Sequence, residues 1–167
     1  MNRSTTIPSG EGAESARRDP STTFLGDGFT LALGDEWTNE TVYRLEGPTA
    51  DGYTHMLKVN VNSEVEDISV VDYATLQVDQ QLKGLEDGRL VDTTRTKLEN
   101  ELVASRVLLE CGDQRPWTYQ EDWYIVHQKV GYRLSARFTE TTLDTIGPQV
   151  EKIFRSFEPR SPLVHRR

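Results

Sequence analysis

The feature that most constrains this chain is a two-residue alternation that recurs along it and gives way to helical spacing in two stretches. Phe29, Leu31 and Leu33 alternate with other residues before a polar turn delivers Trp37; His55, Leu57, Val59 and Val61 share one face of a second segment, with Met56, Lys58 and Asn60 on the other; Tyr132, Leu134, Ala136 and Phe138 alternate again. A period of two puts one face of each strand on a core, and a Trp beyond the first turn is large enough to plug one end of that core. Three- and four-residue steps run through Val71, Ala74, Val78, Leu82 and Leu85, with Tyr73 and Leu76 widening the stripe, and through Leu143, Ile146, Val150, Ile153, Phe154 and Phe157. These two stretches predict helices. Ser69 with Asp72 reads as an acidic variant of a capping box opening the first, which ends near Gly84 or at Asp87-Gly88. Gly147-Pro148 makes a kink or a late start in the second.

Strands are predicted at 29–33, 41–46, 53–61, 89–98, 102–111, 117–130 and 131–139, with a loop at 47–52 and breaks at Glu99-Asn100, Gly112-Asp113 and residues 129–131. The order is βββαββββα with mostly hairpin-length connections. That predicts an α+β fold, a mostly antiparallel sheet of about six to seven strands with two helices packed on it. With 167 residues the chain has the length of one domain. Residues 1–22 carry almost no large apolar side chain and are expected to form a disordered polar tail. Residues 23–158 are expected to be a single α+β domain, and residues 159–167, interrupted by Pro159 and Pro162, a flexible basic tail.

Charge removes one class of function. The formal net charge is −8, and residues 24–158 hold 13 basic against 24 acidic side chains. Such a surface repels phosphate backbones, so sequence-independent nucleic-acid binding is not expected. No apolar run approaches a membrane span and no apolar signal region opens the chain, which places it in the cytoplasm as an expectation. A lone cysteine, Cys111, forms no internal disulfide and reads as a buried bystander.

Catalytic and metal signatures are missing from the sequence. His55, His127 and His165 stand outside metal-ligand spacing of one another, and the acidic clusters at Glu64–Asp67, Glu86-Asp87 and Glu121-Asp122 lack the alternating calcium-loop pattern and read as solvated faces. There is no Gly-x-Ser-x-Gly elbow, phosphate loop or dinucleotide fingerprint. No enzyme activity, cofactor or metal is expected.

Several landmarks together resemble a family: the opening Phe-x-Leu-x-Leu-x-x-x-Trp of residues 29–37, the helix of residues 69–85, the aromatic strand through Tyr119 to Val126, the Tyr132 to Phe138 strand, and the closing Ile153-Phe154-Arg155-Ser156-Phe157. Over residues 24–158 the chain is similar to the DcrB-like family of PsbP-like fold. One branch, the Eag chaperones of type VI secretion, is cytoplasmic and typically dimeric, and shields hydrophobic N-terminal helices of secreted effectors. Another branch, DcrB itself, is an exported envelope protein. The absence of a leader favours the first branch. Two features depart from it: Asp35-Glu36-Trp37 stands where the family often has Pro before Gly-Trp, and the polar N-terminal tail is not an Eag trait.

Aromatic density bears on the same point. Trp117, Tyr119, Trp123, Tyr124 and Tyr132 crowd two adjacent strands, with Tyr119 and Trp123 opposite in parity to Tyr124 and Val126. Either both faces of this hairpin are covered by helices, or part of one face is an open groove or a dimer surface. On the second reading the chain is a non-enzymatic protein-binding module, a chaperone or adaptor whose partner is a hydrophobic effector helix. Leu57, Val59, Val61, Tyr124 and Val126 are the candidate lining of its surface. The alternatives are a DcrB-like envelope or stress-associated structural protein and, more remotely, an unrecognised hydrolase.

Overall fold

The computed structural model describes residues 23–26, 29–32, 40–62 and 65–159. They fall into two units divided between Thr38 and Asn39, so the stretch read as one domain is described in two parts. In the first unit, strands β1 (Thr23–Gly26) and β2 (Phe29–Ala32) form an antiparallel hairpin with Gly26 opposite Phe29. The alternation at Phe29 announced β2, whereas β1 has no such pattern. Leu33 and Trp37, the tail of residues 1–22 and residues 160–167 lie outside the described residues.

The second unit is an α+β structure built on a six-stranded antiparallel sheet. Its strands are β3 (Glu40–Ala50), β4 (Tyr53–Asn62), β5 (Arg89–Lys97), β6 (Val103–Glu110), β7 (Tyr119–His127) and β8 (Val130–Phe138), in the spatial order β3-β4-β8-β7-β6-β5. Helix α1 (Val70–Lys83) follows β4, and α2 (Thr142–Thr145) and α3 (Gly147–Arg155) follow β8. The closing helix expected from sequence is therefore two pieces, with Pro148 in the first turn of the second, where its missing N–H costs nothing.

Two local expectations need correction. The loop placed at residues 47–52 is mostly strand: β3 continues through Gly47 and Pro48 past a bulge between Glu46 and Thr49, and only Asp51 and Gly52 turn the chain, with φ of 57° and 79°. A bulge absorbs the Pro that cannot donate to a ladder. The strand placed at 117–130 covers only Tyr119–His127, and the turn into β8 is Gln128-Lys129, with φ of 50° and 62°. Two-residue hairpins with a type I′ turn need positive φ at both central positions. Here two long side chains adopt it, so no glycine or asparagine advertised the turn.

Helix α1 starts where its cap predicts. The Ser69 hydroxyl accepts the Asp72 backbone N–H at 3.1 Å and donates to the Asp72 carboxylate at 2.6 Å. Its inner face, Tyr73, Ala74 and Val78, packs with Val65, Val107, Leu109 and Tyr124 on one side of the sheet. Gly131 on β8 makes that close approach possible, since a Cβ there would lie 2.5 Å from the Tyr73 ring. On the other side, Val150 and Phe154 of α3 pack with Trp123, Ile125, Tyr132, Leu134 and Phe138. The helices thus cover opposite faces. The central β6-β7-β8 part of the sheet is buried on both.

Candidate partner-binding surface

The structure divides the five sequence candidates between those two faces. Leu57, Val59 and Val61 lie half-buried on the α2/α3 side, packed at the margin of its core. Tyr124 and Val126 point the other way. Tyr124 is fully buried beneath α1, its ring edge-on to Tyr73 at 6.0 Å, and Val126 packs at the edge of the same cluster. The five side chains do not meet on one surface, because Tyr124 and Val126 have the parity of the helix-covered side.

Register supplies two residues that alternation alone did not single out. Tyr43 of β3 stands opposite Val59, and Leu45 opposite Leu57. Both lie on the α2/α3 face, but β3 is the edge strand, beyond the reach of that core, and they are 58% and 55% exposed. Tyr43, Leu45, Leu57, Val59 and Val61 therefore form a continuous apolar strip that starts in water and ends in the core. The available signal was Tyr43 and Leu45 two apart in a strand already expected at 41–46.

Burial also corrects the reading of Glu121 and Asp122 as solvated. They are 1% and 0% exposed, because β7 is a central strand with a covered face on each side. Buried carboxylates need partners, and each has its own. Toward α3, Glu121 accepts from Arg106 at 3.0 Å and from the Trp123 indole N–H at 2.7 Å. Arg106 reaches on to Glu151, which also binds Arg155, itself stacked over Trp123. Toward α1, Asp122 Oδ2 meets Arg133 at 3.2 Å, Gln120 at 2.8 Å and the Tyr124 hydroxyl at 3.3 Å. Gln81 of α1 donates to that hydroxyl and accepts from Gln120 and Arg133. Burial first, and then the Asp122 charge, pushes the Tyr124 phenol well above its usual range. Asp122 Oδ1 and Arg133 Nε are buried without a partner among the described residues.

A third polar cluster lies at the end of the β3-β4 hairpin. His55, 3% exposed, shares a 3.0 Å hydrogen bond with the Thr142 hydroxyl and lies edge-on to Trp117. Thr142 meets Thr139, and both Thr139 and Thr141 donate to Asp51. Those hydroxyls, Thr141 before Thr139, hold the Asp51 carboxyl below its usual range. Asp51, Tyr53, Arg115 and Thr118 line an open cleft of ≈ 520 Å³ here. A carboxylate kept ionised by donors is an acceptor, not a proton donor near neutrality. Cys111 is fully buried, and burial raises its thiol above the usual value, so it is held away from thiolate chemistry. Among the described residues no group of three or more metal-ligating side chains comes together, and no helix is long and apolar enough to cross a membrane.

This arrangement has a solved counterpart. The chain is similar to the crystal structure of PA94 from Pseudomonas aeruginosa, a protein of unknown function, with a TM-score of 0.64 and 13% identity over 84% of this chain and 98% of that one. That likeness shows a shared fold. The chain is also similar to the solution structure of cyanobacterial PsbP (CyanoP) from Synechocystis sp. PCC 6803, with a TM-score of 0.48 and 11% identity over 81% of this chain and 100% of that one. No protein-family model matches the chain, and no curated protein matches it in sequence.

Proposed function

We propose that this protein is a non-enzymatic binding module that receives an apolar, amphipathic segment of a protein partner on the β3-β4 strip, in the manner of the Eag chaperones that shield hydrophobic helices of secreted effectors. The observation that carries the reading is the exposure of Tyr43 and Leu45, 58% and 55%, in line with Leu57, Val59 and Val61 and continuous with the core. An apolar helix laid along the strip buries two large side chains that the fold itself leaves in water. Fully burying a side chain of this kind contributes about 1.5–3 kcal/mol, so these half-exposed ones would supply roughly half of that each before ordering costs. A tyrosine with an apolar neighbour is a favoured anchor at interfaces.

The test uses a net-neutral 18-residue amphipathic Leu/Ala helix carrying a fluorophore, titrated with the full chain and followed by anisotropy. Saturable binding is expected, weakened about tenfold or more by Tyr43→Asp or Leu45→Asp. Leu76→Asp, on an exposed position of α1 of equal exposure, should leave it unchanged. Equal weakening by all three variants, or no binding by the native chain, overturns the reading.

A further inference from the structure

The other side of the same strands carries a different chemistry. Arg44 of β3 stands opposite Lys58 of β4, and Lys58 opposite Ser135 of β8, in one row across the sheet. Arg133 and Arg137 flank Ser135 two residues away on the same face. Diagonal neighbours on adjacent antiparallel strands lie roughly 7–8 Å apart, within reach of long side chains, so three guanidinium groups surround one ammonium. Helix α1 packs mainly on β6 and β7 and leaves this half of the face without a helix among the described residues.

We propose that this row, centred on Lys58 and Ser135, binds a phosphate dianion, free or as a small phosphomonoester. Charge balance favours that ligand. Of the four cations on this face, Arg133 alone pairs with a carboxylate among the described residues, Asp122, in a protein whose formal net charge is −8. Neither Arg44 nor Lys58 has a carboxylate within ion-pair distance among the described residues, and Arg137 is tied only to the neutral Gln120 carbonyl at 2.9 Å. Arg133 still holds a buried, unpartnered Nε donor. Burial first, and then the charges of Arg137, Arg44 and Arg133, push the Lys58 ammonium below its usual range. A dianion over Lys58 relieves that repulsion, and guanidinium forks suit its oxygens.

The experiment is calorimetric titration of the full chain at fixed ionic strength with inorganic phosphate and, in a second arm, phenyl phosphate, with acetate as the control. Saturable binding of at least one phosphate probe is expected, with a Kd on the order of 1 mM or tighter and acetate at least tenfold weaker. The tighter arm identifies whether the free ion or the ester is the better ligand. Lys58→Ala and Arg44→Ala should each raise the Kd about tenfold or more, the loss of a charge-assisted hydrogen bond. Lys97→Ala, on β5 at the far edge and paired with Glu101, should leave it unchanged. Arg44 is exposed, so its variant carries the test if Lys58→Ala fails to fold. No saturable phosphate binding at about ten times that Kd, acetate binding as tightly as phosphate, or native-like binding by the folded variants overturns the proposal.

Discussion

Replacing Gly131 by alanine tests the packing of α1 against the sheet at one atom. The new Cβ would lie 2.5 Å from Tyr73 Cζ, 2.6 Å from its hydroxyl oxygen and 2.9 Å from Val65 Cγ1. These atoms are side-chain ends, but packing holds them in place. Tyr73 is 5% exposed and held edge-on to the fully buried Tyr124, and the Val65 backbone N–H donates to the Lys129 carbonyl at 3.0 Å. Relief therefore requires α1 to lift or β8 to bend. Forcing an extra methyl into a well-packed core costs about 1–3 kcal/mol. Alanine recovers roughly 0.4–1 kcal/mol through lower unfolded-state entropy, which leaves a net loss of about 1.3 kcal/mol at mid-range and about 2.6 kcal/mol at most. For a chain of this size that corresponds to a fall in Tm of roughly 3–10 °C. Urea unfolding followed by tryptophan fluorescence and far-UV CD reads it as a shift in midpoint at constant slope. The cycle with Tyr73→Leu isolates the contact, because removing the ring should abolish most of the alanine penalty. A loss below about 0.5 kcal/mol, or the same loss in the Tyr73→Leu background, refutes the steric account.

Two further predictions concern the β7-β8 turn and the buried phenol. Lys129→Gly relieves a left-handed residue costing about 1–2 kcal/mol, offset by roughly 0.5–1 kcal/mol of glycine's extra chain entropy, so urea unfolding should show a gain of up to about 1.5 kcal/mol, and a loss would contradict the turn geometry. Burial raises the Tyr124 phenol above its unfolded value of 10.0, so the folded chain holds that proton more tightly; stability is complete below pH 10 and falls as pH rises through and beyond it. The fall attributable to Tyr124 is about 1.4 kcal/mol per pH unit, and Tyr124→Phe should remove it. An unchanged alkaline slope in that variant rules out the linkage.

Which residues share a strand face is legible one segment at a time, and the candidate surface is half legible for the same reason. His55, Leu57, Val59 and Val61 do share a core-facing side, Ser69 does open α1, and of the two expected ends Gly84 closes it. Tyr124 and Val126 were grouped with Leu57 because each is apolar on a strand, yet parity across β4, β8 and β7 sends them to opposite faces. Tyr43 and Leu45 gained their importance from β3 being an edge, which no property of their own segment encodes.

By itself the sequence determined what depends on near neighbours: the alternating faces, the helix caps, the α+β class and the acidic balance. One of its two misplaced turns, at Gln128-Lys129, is a place where the local chemistry carries no turn signature and the pairing of β7 with β8 imposes the conformation. Only the tertiary structure decided which side of the sheet each helix covers, that β4 pairs with β8 across the helix and three strands between them in the chain, that Glu121 and Asp122 are buried, and that Arg44, Lys58, Arg133 and Arg137 share one face. Those outcomes follow from strand order. The side-chain period says which residues share a face, but only long-range pairing says which strands are neighbours and which faces remain in water.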